Sequence, residues 1–308
     1  MKILVTGGAG FIGSHLCERL LGDGHEVLCV DNFITGSREN VSHLEESFRL
    51  IEHDITLPFK EDFGDVDQIY HLASPASPVD YREIPLQTLW VNAAGTKNML
   101  DLAAKNGVPL LYSSTSEVYG DPLEHPQKES YYGNVNPIGE RSCYDEGKRF
   151  GESLSINYQK HFQFPLKIVR IFNTYGPRMR KHDGRVIPEF INNALNDEPL
   201  RVTGDGKQTR SFCFIDDMVD GLIAAMKEDE SFVGPVNIGN PDEITIQDLA
   251  KNIVDLTESE SIISFVERME DDPMRRCPNI ELAKNKFGFN PKVNLEEGLK
   301  KTILYFKS

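Results

Sequence analysis

The chain reads as an α/β protein, a Rossmann-like doubly wound parallel sheet with a smaller, discontinuous C-terminal lobe. Three observations predict it. Short apolar runs alternate with amphipathic helical stretches through the first two thirds of the 308 residues, as right-handed βαβ units require. A glycine-rich turn separates the first run from the first helical stretch. Polar side chains (Asp31, Asp54, Ser74, Ser113, Asn173) gather where the runs end, the edge at which open parallel sheets bind ligands.

Buried strands are predicted at residues 3–5, 26–30, 48–51, 68–72, 109–113 and 166–171, each short, apolar and bounded by turn residues. Helices are predicted at 11–21, 86–105 and 144–160, where apolar residues recur at helical spacing. From Thr174 the texture changes to turn-rich, locally basic stretches, Tyr175-Gly-Pro-Arg178, Asp183-Gly-Arg-Val186 and Gly204-Asp-Gly-Lys-Gln-Thr-Arg210, around a helix at 188–196. Two more helices follow at 246–257 and 295–306, with Pro273 and Pro278 in the loop between them. The expected division is a dinucleotide-binding domain, 1–175 plus 210–240, and a substrate-binding lobe, 176–209 plus 241–308.

A net charge of −15 argues against a nucleic-acid partner bound through a basic face. The five cysteines are scattered, with no C-x-x-C pair, so neither a disulfide framework nor a metal site is expected. The first strand begins at residue 2 and no apolar run reaches 18 residues. No membrane partner and a cytoplasmic setting are the expectation.

Gly7, Gly10 and Gly13 form Gly-x-x-Gly-x-x-Gly between strand and helix. Glycine there permits a tight turn and close approach of a pyrophosphate to the helix start at Phe11 and Ile12. Asp31 ends the second strand 18 residues after Gly13, where a carboxylate takes ribose hydroxyls. It favours NAD over NADP, whose extra phosphate would meet a like charge. Asn32, Phe33, Thr35, Gly36, Asp54, Ile55, Leu72, Ala73 and Ser74 are expected to line the same cofactor. Asp54 also reads as a simple turn residue, and His71 as a side chain packed beside the sheet.

Tyr-x-x-x-Lys occurs once among ten tyrosines, at Tyr144 and Lys148. Residues i and i+4 share a helix face, so the ammonium stands beside the phenol and the cofactor ribose. A cation there, together with the nicotinium of the cofactor, is expected to lower the phenol pKa and make Tyr144 a base near neutral pH. Thr115 can hydrogen-bond the reacting hydroxyl, and Ser116 and Glu117 can move protons elsewhere on the same molecule.

At these residues the chain resembles the extended short-chain dehydrogenase/reductase superfamily of nucleotide-sugar enzymes. Within it, the chain is most similar to the UDP-glucuronate decarboxylase (UDP-xylose synthase) branch. The relevant stretches are His71-Leu-Ala-Ser-Pro-Ala-Ser77, Ser114-Thr-Ser-Glu-Val-Tyr-Gly-Asp-Pro122, Cys143-Tyr-Asp-Glu-Gly-Lys-Arg149 and Arg170-Ile-Phe-Asn-Thr-Tyr-Gly-Pro-Arg-Met179, of which Ser-Pro-Ala-Ser and Ser-Glu-Val-Tyr-Gly-Asp-Pro are the more discriminating. The resemblance implies oxidation at C4 of UDP-glucuronate with bound NAD, loss of carbon dioxide from the 4-keto acid, and re-reduction to UDP-xylose. It implies that Glu117 and Arg276 act at the carboxylate and ketone, with Ser116 a secondary proton-handling group. Arg275 is an adjacent rival for the arginine's part. Asn173, Arg185, Gln208 and Arg210 are expected on the diphosphate and uridine. Relatives of this kind pair their long helices, so a homodimer is expected through 86–105 and 144–160.

Two positions depart from the resemblance. Trp90 and Cys277 stand where lysines are expected near the substrate, which removes two cations from the neighbourhood of a carboxylate. Three other readings stay open: a nucleotide-sugar 4-epimerase, a dTDP-glucose 4,6-dehydratase and a catalytically silent NAD-binding protein. Ser116 disfavours the dehydratase, which needs an acid at that position, and Glu117 is unusual for an epimerase.

Overall fold

The computed structural model describes residues 1–59, 63–267 and 274–308. Seven strands form the central sheet: β1 (Lys2–Thr6), β2 (Glu26–Asp31), β3 (Phe48–Glu52), β4 (Gln68–His71), β5 (Leu110–Thr115), β6 (Leu166–Ile171) and β11 (Val236–Ile238). Their spatial order is β11-β6-β5-β4-β1-β2-β3, and every pairing is parallel. The order reverses between β1 and β4, which opens a crevice at their carboxyl ends. Covered on both faces, β1 and β5 read as apolar runs rather than alternating ones.

The helices that cover the sheet include α1 (Phe11–Gly22), α4 (Thr96–Asn106) and α5 (Ser142–Phe162). The single helix predicted at 86–105 is interrupted. Two short helices, α2 (Pro78–Glu83) and α3 (Pro85–Trp90), precede a π-turn, Val91–Gly95, and then α4. Inside the π-turn the Asn92 amide donates to Ser74 Oγ at 3.0 Å and to the Thr88 carbonyl at 2.8 Å. The extra residue in the turn lets a polar side chain cross toward the crevice.

Beyond β6 lie β7 (Thr174–Tyr175), α6 (Val186–Leu195), β8 (Leu200–Thr203), β9 (Thr209–Ser211), β10 (Cys213–Phe214) and α7 (Ile215–Lys227). After β11 come β12 (Glu243–Thr245), α8 (Ile246–Thr257), β13 (Ile263–Val266), β14 (Arg275–Arg276), α9 (Glu281–Phe287) and α10 (Leu295–Lys307). Small sheets β12-β9-β14 and β13-β8 organise this half. The sequence reading omits α2, α7, α9 and β11. β11 is three residues long, too short to show a period, and α7 is so fully buried that its polar face is narrow. Pro273 lies outside the described residues. Among the described residues no helix is long and apolar enough to cross a membrane.

Candidate active site

A single cleft of about 1100 Å³ runs along the carboxyl ends of the strands, from the glycine-rich turn to the small sheets. At one end, Gly7 has φ +70°, and an added Cβ would lie 2.8 Å from Ala73 Cα. A Cβ on Gly13 would lie 2.1 Å from the Gly7 carbonyl oxygen. Bare backbone is therefore the only way to bring the turn against β4 and the start of α1. Gly10 caps α1 with no side chain across its free N–H groups, the arrangement that receives a phosphate.

Asp31 fixes the neighbouring edge. Its carboxylate accepts the Ala9 N–H at 3.0 Å and the Phe33 N–H at 2.9 Å. The Asn32 N–H is a further donor to it, and an ionised carboxylate has about four acceptor positions, so capacity remains for a ribose hydroxyl. Gly36 leaves room beside it, since a Cβ there would meet the carboxylate at 2.9 Å. Asn32, Thr35, Asp54, Ile55, Leu72 and Ser74 line the cleft as expected, with Gly7, Gly10, Phe11, Ile12 and Gly13. Phe33 is not among the residues that line the cleft; its φ is +59°, and the Arg38 guanidinium lies 4.2 Å from its ring centre. Asp54 is both turn residue and cleft wall, accepting from the Thr56 N–H and hydroxyl at 2.9 and 2.8 Å. His71 packs beneath the sheet between the Thr6 and Thr96 hydroxyls, at 2.8 and 3.0 Å. Burial and the Lys148 charge push it down to about 3, so it stays neutral.

Midway along the cleft α5 brings Tyr144 and Lys148 beside Thr115. The Tyr144 ring stacks on Tyr81 at 5.2 Å. Lys148 Nζ donates to the Ser113 carbonyl at 2.8 Å and lies 5.9 Å from the Tyr144 ring centre. Burial dominates the electrostatics of the pair itself. Burial raises the Tyr144 phenol above its ordinary range, opposed by its hydrogen bond to Thr115. Burial likewise lowers Lys148 to about 7. Desolvation penalises both charged forms, so the pair alone does not make a phenolate; a further positive charge has to arrive with the cofactor.

At the far side of Tyr144, the turn after β5 carries Ser116 and Glu117 into the wall of the cleft. Glu117 is clamped between two guanidiniums, Arg141 at the start of α5 and Arg276 on β14. Arg276 grips it with both terminal nitrogens, the longer contact being 2.8 Å. Burial pushes the carboxyl up, yet Arg141 and Arg276 outweigh it and hold Glu117 at about 2. Arg276 is 5% exposed, whereas Arg275 points outward and does not line the cleft. Strand alternation separates the two.

The same alternation removes the difficulty at Cys277. Its thiol is buried 3.3 Å from the Pro241 carbonyl, off the cleft, and burial lifts it to about 12. Trp90 sits at the cleft mouth, 64% exposed. The second cation comes instead from Arg141, which the sequence reading missed. The available signal was an arginine three residues before the tyrosine of Tyr-x-x-x-Lys, one helical turn away. Behind the Arg141–Glu117–Arg276 wall lies a smaller cavity of about 220 Å³, lined also by Asp121, Asn136 and Asp145. Asn173, Arg185, Gln208 and Arg210 also line the main cleft, Arg185 nearer the dinucleotide edge with its guanidinium 5.9 Å from the Phe11 ring centre. Arg185 is paired with Asp183, and the Gln208 amide donates to the Thr203 carbonyl at 2.8 Å.

A dinucleotide edge and a Tyr–Lys–Thr group sharing one cleft define an enzyme that oxidises a carbinol with a nicotinamide cofactor. The chain belongs to the NAD dependent epimerase/dehydratase family, whose profile matches residues 3–239. It is 51% identical to UDP-glucuronic acid decarboxylase 1 of Arabidopsis thaliana, over all of this chain and 70% of that protein. It is 53% identical to UDP-glucuronic acid decarboxylase 1 of Xenopus tropicalis, over 99% of this chain and 72% of that one. Among solved structures, UDP-glucuronic acid 4-epimerase from Bacillus cereus, in complex with UDP-glucuronic acid and NAD, superposes with a TM-score of 0.89 at 31% identity. That match covers 100% of this chain and 99% of the other. The glycine turn and the open acceptor positions of Asp31 fit NAD as the cofactor.

Proposed function

We infer that the protein decarboxylates UDP-glucuronate to UDP-xylose with bound NAD. One observation carries the reading: two guanidiniums converge on Glu117 beside the oxidation site, and relatives that share about half the sequence throughout are decarboxylases of UDP-glucuronic acid. NAD, held by the glycine turn and Asp31, would supply the hydride chemistry at C4.

The protein's groups do the rest. Tyr144, hydrogen-bonded to Thr115, takes the proton from the C4 hydroxyl and later returns it. The resulting ketone is β to the C5 carboxylate, so carbon dioxide can leave with the bonding electrons delocalised onto the C4 oxygen. Arg276 and Arg141 offer fixed, charged donors to the carboxylate and to that oxyanion. Ionised Glu117 holds the two forks in register, and Ser116 handles protons nearby. C5 then takes up one proton, so each turnover consumes a proton and releases one carbon dioxide. Asn173, Arg185, Gln208 and Arg210 hold the diphosphate and uridine. Residues 1–175 plus 210–240 serve as the NAD-binding domain, and 176–209 plus 241–308 as the nucleotide-sugar lobe. Supporting that division, β11 completes the seven-stranded sheet while β8 and β13 form a separate small one.

NMR of an incubation with UDP-glucuronate is expected to show UDP-xylose and carbon dioxide in equal amounts. The second reading is a 4-epimerase, favoured by the likeness to the Bacillus cereus enzyme. Accumulation of UDP-galacturonate without carbon dioxide would establish it instead. A homodimer belongs to the same proposal. Leu86, Leu89 and Trp90 on or at the end of α3, and Phe150 on α5, are 40–67% exposed, an apolar surface suited to a second copy. Light scattering should give twice the 34.8 kDa chain mass; a single-chain mass at micromolar concentration would refute the pairing.

A further inference from the structure

Asp145 follows Tyr144 on α5, yet it lines the small cavity behind the Arg141–Glu117–Arg276 wall and not the main cleft. It is 5% exposed. Among the described residues its Oδ1 has no hydrogen-bond partner. Neither guanidinium is paired with it, because both close on Glu117. The charged and titratable groups around it are Glu117 from the turn after β5, Asp121 across the same cavity, Arg276 from β14, Arg141 and Glu146 along its own helix, Tyr81 from α2, and the adjacent Cys143.

A buried carboxylate without a charge partner is costly, and the usual escape is to keep its proton. Burial and the Glu117 charge push Asp145 up to about 8, against the pull of Arg141 and Arg276.

We propose that Asp145 is held as the neutral acid of this wall and so leaves the wall a single positive charge for the carboxylate of the sugar. With Asp145 protonated, two guanidiniums face one carboxylate, and the incoming hexuronate completes the balance. With Asp145 ionised the wall is already neutral, and the hexuronate arrives as a third carboxylate against two cations. Asp145 touches no reacting atom and is a positioning residue. This inference rests on the hexuronate reading of the site, and it adds that recognition of the acid substrate is lost as pH rises while recognition of the nucleotide is not.

The test is binding to NAD-loaded protein in a Tyr144→Phe background, where turnover does not consume the ligand. Calorimetry with UDP-glucuronate is expected to show affinity about tenfold weaker at pH 9 than at pH 7, the loss that follows when a required proton leaves near pH 8. UDP-glucose, the same molecule without the carboxylate, should show no such loss. Adding Asp145→Asn, which is neutral at every pH, should let UDP-glucuronate bind at pH 9 as tightly as at pH 7. Equal pH dependence for the two ligands, none for either, or an unchanged loss in the asparagine variant would each overturn the proposal. The first two comparisons need no change at Asp145, so a folding defect in that variant leaves the proposal testable. Should wild-type enzyme release no carbon dioxide while the acid-specific pH dependence holds, the decarboxylase reading falls and the role of Asp145 stands.

Discussion

Replacing Arg276 with alanine is expected to slow carbon dioxide release by about 10²–10³-fold, the usual cost of losing one preorganised donor at a developing oxyanion. NAD content should not change. The glycine turn and Asp31 hold the opposite end of the cleft, and no contact of theirs passes through β14. Nor does the substitution strand a buried charge, because Glu117 keeps Arg141. Lysine at the same position should rescue little, since a point charge cannot replace a two-pronged fork on a carboxylate. Labelled carbon dioxide measured beside cofactor content in the denatured protein decides the matter. Parallel loss of both would mean that Arg276 holds the fold and not the transition state. Glu117→Gln is expected to slow the same step, because the two forks lose the carboxylate that aligns them.

Tyr144→Phe is expected to stop the reaction earlier. The substitution keeps the ring that stacks on Tyr81 and deletes only the phenol oxygen, so the loss should be chemical, about 10²–10⁴-fold for a positioned base. The two variants should also look different under the spectrometer. Without Tyr144 no reduced nicotinamide forms on mixing with UDP-glucuronate. Without Arg276 oxidation still occurs, so reduced nicotinamide absorbance rises and persists while the keto acid waits. Identical traces from the two variants would refute the assignment of Tyr144 to oxidation and Arg276 to decarboxylation.

Much of this arrangement was legible in the chain, for reasons that differ residue by residue. The dinucleotide edge was readable because its parts are contiguous: Gly7, Gly10 and Gly13 sit on one turn, and Asp31 ends the next strand. Tyr144 and Lys148 were readable because a helix turns a spacing of four into a shared face. What spacing could not show was the extent of their burial, which is set by everything packed around them and pushes both groups against their charged forms. Arg141 was missed because an arginine in a loop is ordinarily solvated; only the folded chain brings it onto Glu117 beside an arginine 135 residues further on. The same folded chain separates Arg276 from Arg275 and turns Cys277 away from the cleft, neither of which spacing alone decides.

β14 is two residues long and is hydrogen-bonded to β9, with Arg276 in register with Arg210. Side chains paired this way in parallel strands project to the same face. The arginine proposed for the nucleotide and the one proposed for the chemistry are therefore mounted on one rung. A ligand that loads Arg210 steadies the strand from which Arg276 reaches the sugar, so the handle of the substrate tunes the tool. Glucuronic acid 1-phosphate, stripped of its uridine monophosphate half, would then react sluggishly even at saturation, with its deficit in turnover number as well as in affinity.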